Sequence, residues 1–234
     1  MEEKRIERHP HIPARRLLDS IVLGGSDGTI EGLALTSALN GAGLGFGTIA
    51  LAGLAFGMAG AVSMFFSYYL SRRSEAESLK IDMARERMEI ETEPEEERSE
   101  MVALLKREGY AEPEVQVIME RLSKDKDLWL REMLRLELKI DSGAAESSNY
   151  TGAAAAGVSF LLLALLALSP YVLAVDRIGA LGVSVAVSLA ALFALGSRAF
   201  VPHNFRPRAG LVSAAIGAFA AILLHSLGLL LSTA

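Results

Sequence analysis

Apolar residues gather into five runs along the chain, approximately 17–40, 47–71, 150–174, 178–200 and 209–231. Each is long enough for a helix across a hydrocarbon core, which takes roughly 20 residues. Phe160 to Leu168 reads FLLLALLAL, and Ile216 to Leu231 has one His and no formal charge. The second run closes with Phe65, Phe66, Tyr68 and Tyr69 ahead of Arg72 and Arg73, an aromatic-then-basic edge of the kind with which a helix leaves a bilayer. The first run differs from the others in carrying Asp19, Asp27 and Glu31. Between the second and third runs the pattern changes. Residues 72–149 are rich in Glu, Arg, Leu and Met, and apolar positions recur at helical spacing, as in Met101, Leu104 and Leu105.

Breakers divide this polar stretch. Thr92-Glu93-Pro94 and Glu112-Pro113 predict helix starts with Pro in the first turn, and Gly109 predicts the end of the helix between them. Trp129 to Ile140 predicts a last helix with Trp129, Met133, Leu136 and Ile140 on one face. No breaker stands between Tyr69 and Pro94, so the second membrane helix is expected to run on from 47 to 91, roughly 65–70 Å at about 1.5 Å per residue. The expectation is an all-α polytopic membrane protein with five transmembrane helices and a helical cytoplasmic insert between spans two and three. Its parts are an N-terminal segment with transmembrane helices 1–2 over 1–71, the insert over 72–149, and transmembrane helices 3–5 over 150–234.

Composition sharpens this division. The chain has 234 residues, 51% of them hydrophobic, 22% charged, with a mean hydropathy of +0.34. Of the 51 charged residues, 35 lie in 72–149. Five buried core helices of a large soluble protein would need far more chain to cover them than remains. The first sixteen residues are polar and no small-residue cleavage site follows a clean apolar core, which argues against a signal peptide; the acids after Arg15-Arg16 argue against a twin-arginine one. If the helices alternate, the N-terminus, residues 72–149 and the 198–208 loop share one side and hold 22 of the 23 Lys and Arg, with Arg177 alone opposite. Basic residues concentrate on the cytoplasmic side, which places the N-terminus and the insert in the cytoplasm and the C-terminus outside or luminal. With no Cys, a disulfide scaffold and thiolate metal sites are excluded, and a net charge of −5 gives no support to nucleic-acid binding.

Two groups of residues carry candidate chemistry. In the insert, Glu86 and Glu89 stand i, i+3 at the end of the long helix, and Glu97 and Glu100 stand i, i+3 beyond the Pro94 corner. Each pair projects from one helix face, and the corner would bring the two faces together. Met133 and Glu137 form an i, i+4 pair on the last helix. Carboxylates with a thioether and no His or Cys suit Fe²⁺ or Mn²⁺; the same residues also suit a solvated acidic surface with Met133 in a core. In the membrane, a mid-span acid costs roughly 2.5–3.5 kcal/mol on insertion scales and so faces a cavity or partner. Asp27 lies near half-depth, Glu31 follows one turn later, and Met64 lies in the second span among small residues. Asp27 with Met64 would pass a divalent cation, and Asp27 or Glu31 would carry protons; a hydrogen-bonded structural acid and a packing Met are the plain alternatives. Gly24, Gly28 and Gly32 form a stripe that fits close helix packing. Asp19 lies close enough to the interface to be simply solvated. His203 and His225 have no neighbouring His or Cys and read as a loop residue and as a packed or pH-sensitive one.

Ser26-Asp27-Gly28 in the first span, Ser63-Met64 followed by Tyr69-Leu70-Ser71, and the Glu-rich insert together resemble the vacuolar iron transporter family. The Pro94-Glu95-Glu96-Glu97 corner, the Met133 and Glu137 helix and Ser169-Pro170-Tyr171 are similar to its pattern as well, so the resemblance covers nearly the whole chain. It implies a homodimer of five-span subunits that exports Fe²⁺ from the cytoplasm in exchange for protons. By the same resemblance Asp27 and Met64 line the pathway, and Glu86, Glu89, Glu97, Glu100, Met133 and Glu137 hold metal in the insert. The family pattern can have Met-Met on the last helix, whereas this chain has Leu134 in the second position.

The expected function is therefore proton-coupled export of Fe²⁺, or of Mn²⁺, with membrane lipid, metal ions, protons and a second copy as partners. No prosthetic group and no nucleic acid are expected. The alternative is a membrane-anchored metal sensor or assembly protein that moves nothing. An enzyme is not expected, because there is no nucleophile and base pair, no Gly-rich phosphate loop after a strand and no His-based metal centre. The expected location is a prokaryotic plasma membrane.

Overall fold

The computed structural model describes residues 11–137, 149–173, 176–198 and 205–232. Among the described residues the elements are all helices: α1 (His11–Gly41), α2 (Phe46–Thr92), α3 (Pro94–Arg107), α4 (Glu112–Leu122), α5 (Lys126–Leu136), α6 (Asn149–Leu173), α7 (Arg177–Ser197) and α8 (Pro207–Ser232). The chain forms two compact units, 1–70 with 149–234, and 71–148, and α2 supplies residues to both. At 47 residues, α2 is about 70 Å long, in keeping with the absence of any breaker before Pro94.

Four described helices, α2, α6, α7 and α8, are long and apolar enough to cross a membrane. This is the make-up of a polytopic membrane protein. The sequence leads one to expect five such helices, and α1 is the one set apart: its 31 residues suffice in length, but Asp19, Asp27 and Glu31 lower its apolar character.

In the membrane unit, α6 packs against both α1 and α2. The Gly24, Gly28 and Gly32 stripe of α1 is seated directly on the backbone of α6 at Ala156, Phe160 and Ala164. A Cβ at Gly24 or Gly28 would fall well under 3 Å from the carbonyl oxygens of Ala156 or Phe160, so only glycine permits this approach. α6 also meets α2, with Gly60 against the Phe160 ring and Gly157 against the Ala61 carbonyl. Leu33 of α1 closes a small core with Ala167 and Ala221.

Backbone polar groups inside a bilayer have no water to turn to, so their satisfaction shows how the bundle is held. Pro170 cannot donate to the Leu166 carbonyl four residues back; Ser169 Oγ donates to that carbonyl instead, at 2.8 Å. Ser184 Oγ of α7 donates to the adjacent Ala167 carbonyl at 2.6 Å. At the Gly41 end of α1, Arg177 donates to the carbonyls of Asn40 and Gly43 at 3.2 and 3.0 Å, and Asn40 Nδ2 donates to the Arg177 carbonyl at 3.3 Å. The lone basic residue predicted for that side thus closes the negative end of a helix dipole. Towards the other end, Asp19 accepts from Arg198 at 3.1 Å, so it is an ion-pair partner and not a merely solvated acid.

The insert starts its helices where the sequence places the signals. Pro94 stands at the first turn of α3, and Gly109 after it has φ +101°, open to glycine without strain. The Ala111 N–H donates to Glu114 at 2.8 Å to begin α4, and Asp125 accepts from Leu128 N at 3.0 Å to begin α5. These helices and the end of α2 enclose one apolar core that includes Ile90, Met101, Leu105, Met119, Trp129 and Met133. The expected last helix reaches Leu136 with Glu137 as its cap; Ile140 lies outside the described residues.

Candidate functional site

The insert brings carboxylates of α2, α3 and the end of α5 into one electrostatic field. Glu86 and Glu97 are both buried, at 2% and 7% exposure, on the faces that the i, i+3 spacing selects. Burial lifts the Glu86 carboxyl above its ordinary range, and repulsion from Glu137, Glu97 and Glu89 adds to this, to about 7, with Arg85 pulling the other way. Burial likewise raises Glu97, with Glu100, Glu89, Glu137 and Glu93 adding repulsion. Glu137 is raised by burial and by Glu100 and Glu89, while Arg85 opposes the shift. Low-dielectric surroundings and like charges both favour the neutral acid. Such a set accepts protons or a cation where isolated surface glutamates would stay ionised alone.

Glu89 is half-buried and Glu100 exposed. One oxygen of Glu97, Oε2, is buried with no hydrogen-bond partner. Met133, at 0% exposure, belongs to the apolar core beside Trp129 and Leu130, and Leu134 is buried there as well. Among the described residues, no three acidic or His side chains stand at the separations of a formed metal centre. What the five carboxylates share is a field, not a closed coordination shell. Two further contributors are not among the residues singled out from the sequence: Glu93 at the Pro94 corner, and Arg85, which contacts Glu86 at 3.7 Å and Glu89 at 3.5 Å. The signal for Arg85 is its place one residue before Glu86 and four before Glu89, since the longer spacing puts unlike charges in reach on a helix.

In the membrane unit, Asp27 is half-buried and Glu31 exposed. Neither falls on the stripe that packs on α6. Ser20 Oγ of α1 donates to the Tyr68 hydroxyl of α2 at 2.9 Å. Asp27 follows Ser20 by seven residues and Met64 precedes Tyr68 by four, so each lies on the same face as its helix's partner in that bond. Gly28 and Gly60 both abut Phe160, which sets Asp27 and Met64 within about a helical turn of one depth. Met64 is half-buried. His225 Nδ1 lies 3.1 Å from the Ser37 carbonyl, which accepts its proton, so it is a packed residue joining α8 to α1; His203 lies outside the described residues.

With this geometry in view, comparison with known proteins is decisive at the level of family. The family model described as the VIT family matches residues 18–229, most of the chain. The chain belongs to the VIT family. That is a transporter family and not an enzyme class. Vacuolar iron transporter 1 of Arabidopsis thaliana is 33% identical over 189 residues, covering 80% of this chain and 74% of that protein. Vacuolar iron transporter 1 of Eucalyptus grandis is 31% identical over 225 residues, covering 94% and 89%. A vacuolar iron transporter of Centaurea cyanus is similar at 31% over 222 residues, covering 94% and 90%. These relatives are from plants and are named for the vacuole, so they lend no support to a prokaryotic plasma membrane.

Proposed function

We propose that this VIT-family chain exports Fe²⁺ from the cytoplasm across a membrane in exchange for protons, and that Mn²⁺ is the second ion it accepts. The observation that carries the reading is similarity to proteins named vacuolar iron transporters over as much as 94% of the chain. The working form is a homodimer of five-span subunits, with α1 as the first span and the N-terminus and insert in the cytoplasm. Two features support this: the bias of Lys and Arg to one side, and an α1 whose Asp27 and Glu31 stay off the face that packs on α6. A second copy would cover those acids.

In this mechanism Glu86, Glu89, Glu97, Glu100 and Glu137 raise the local concentration of divalent ions. Because burial and its acidic neighbours raise Glu86 to about 7, an arriving ion displaces a proton there as it binds. Met133 would need to leave its core contacts to add a thioether, so its proposed contribution is the weakest of the set. Passage then depends on Asp27, which binds the ion as a carboxylate and releases it when protonated from the acidic side. Met64 supplies a soft contact at nearly the same depth, and Glu31 is the second proton carrier.

The test is Fe²⁺ flux into proteoliposomes with and without an imposed pH gradient, for wild type and Asp27→Ala. Gradient-dependent flux that disappears in the variant is expected. Undiminished flux in Asp27→Ala would remove Asp27 from the pathway. No flux of Fe²⁺ or Mn²⁺ by folded wild type would transfer the function to metal sensing by the insert.

A further inference from the structure

The charge closest to the insert's carboxylates is a cation of the chain itself. Arg85 contacts two of them, with Nη2 at 3.7 Å from Glu86 and Nε at 3.5 Å from Glu89. Elsewhere in the insert, ion pairs close fully: Arg87 with Asp127, Lys106 with Glu112 and Arg135 with Glu132 all stand at 2.6 Å. Charge-assisted pairs of good geometry are about 2.7–2.9 Å, so Arg85 is held by the field of several acids more than by one well-formed bond. Asp82 and Glu137 also act on its charge. Its side chain is 58% exposed while that of Glu86 is 3% exposed, so the guanidinium reaches the cluster from the solvent side. The cluster also holds acceptor capacity that Arg85 does not meet, in the unpartnered buried Oε2 of Glu97.

We propose that Arg85 is the resident counter-cation of this cluster, which an incoming divalent ion displaces, and that it thereby sets how tightly the insert holds its ion. The inference rests on the reading of the carboxylates as the capture site given above. Without a resident cation, the full negative charge of the cluster would act on a bound divalent ion. A tethered monovalent cation lowers the affinity without removing a ligand, and it returns to neutralise the cluster when the ion leaves. Arg85 is thus an affinity determinant that works by charge, and its long exposed stem lets it move without disturbing the core.

The probe is Mn²⁺, whose free fraction is read by its electron paramagnetic resonance signal, with full-length protein in detergent. Wild type, Arg85→Gln, Arg85→Lys and the Glu86→Gln/Glu97→Gln double variant are compared at low and high salt. Emission from Trp129, the sole Trp, which sits in the insert core, reports that each variant keeps its fold. Arg85→Gln is expected to bind Mn²⁺ roughly two- to fivefold more tightly at low salt, the range that exposed charge pairs allow. The gain should fade near 1 M salt, where screening acts within about 3 Å, and Arg85→Lys should stay near wild type. Unchanged or weaker binding in Arg85→Gln would overturn the proposal, as would equal tightening by Arg85→Lys, which keeps the charge. If wild type binds no Mn²⁺ that the double variant loses, the capture site itself fails and this inference falls with it.

Discussion

Carboxylates occur in both units of this protein, but they are built in differently. In the insert, Glu86 and Glu97 are packed into the edge of an apolar core and repel one another. In the membrane unit, Asp27 and Glu31 stand beside a helix contact made of glycine and backbone, and they take no part in it. The first arrangement trades stability for a store of unsatisfied negative charge. The second keeps the acids off the helix contact, so that contact does not depend on their charge. The same residue type thus sits inside the packing of one unit and beside the packing of the other.

The sharpest way to break this comparison is to attack the packing on which the second half depends. Gly28→Leu places a side chain where the Phe160 carbonyl and Cα already lie. Overpacking commonly costs 1–3 kcal/mol, and here the obstacle is helix backbone that cannot rotate aside, so a loss above about 3 kcal/mol is expected. Thermal unfolding in detergent should show the bundle destabilised while Trp129 still reports a folded insert at moderate temperature. At Gly182 an added Cβ would meet nothing within 4 Å, and Gly182→Ala should be neutral or slightly stabilising. Equal effects at the two sites would mean that the glycine stripe does not hold α1 to α6.

The stored charge of the insert has a definite pH signature. Glu86 titrates near 7 in the fold, against about 4.5 when free, so the folded state binds the proton more tightly than the unfolded state. Stability then falls as pH rises from about 4.5 to about 7, and the penalty is fully present above that. One pKa unit corresponds to about 1.4 kcal/mol, which makes the penalty roughly 3–4 kcal/mol at pH 8. Glu86→Gln should therefore stabilise the metal-free insert at pH 8 and change little at pH 4, as read from Trp129 emission during urea unfolding. Added Mn²⁺ should recover stability in wild type at pH 8 and not in the variant. A variant that is destabilised at high pH would show that the Glu86 carboxylate is satisfied and not strained.

Much of this is legible in the sequence because it depends on local rules. The run from Tyr69 to Pro94 has no breaker, and α2 is continuous to Thr92. Pro94, Gly109 and Pro113 punctuate the insert where single-residue backbone preferences dictate. The glycine stripe at spacing four predicts close packing, and the contact with α6 follows. The i, i+3 glutamate pairs predict facing surfaces across a corner, and Glu86 and Glu97 do lie within each other's field. What the sequence leaves open depends on partners distant along the chain. Asp19 finds Arg198 across 179 residues, and no spacing rule reaches that far. Met133 satisfies the pattern of a core position and of a soft ligand alike, and only packing against Ile90 and Met101 shows it in the core. Arg85 is hidden for a related reason, since a basic residue among acids on a helix reads as an ordinary surface pair.

The ends of α1 offer the finest test of how the membrane unit is secured. At one end Arg177 donates two hydrogen bonds to the terminal carbonyls and accepts a third from Asn40. At the other, Asp19 and Arg198 form one pair with side chains 43% and 30% exposed. An exposed pair contributes about 0–1 kcal/mol, whereas the Arg177 fork ties the Asn40 carbonyl in the last turn of α1 to the Gly43 carbonyl just beyond it. Arg177→Ala is therefore expected to cost about 1–2 kcal/mol in detergent unfolding, and Asp19→Asn less than about 1 kcal/mol. Arg177→Lys keeps the charge and loses the planar fork, so it should recover only part of the loss. Full recovery by Lys would assign the effect to the helix dipole alone. No loss in Arg177→Ala would mean that water serves those carbonyls as well as the side chain does.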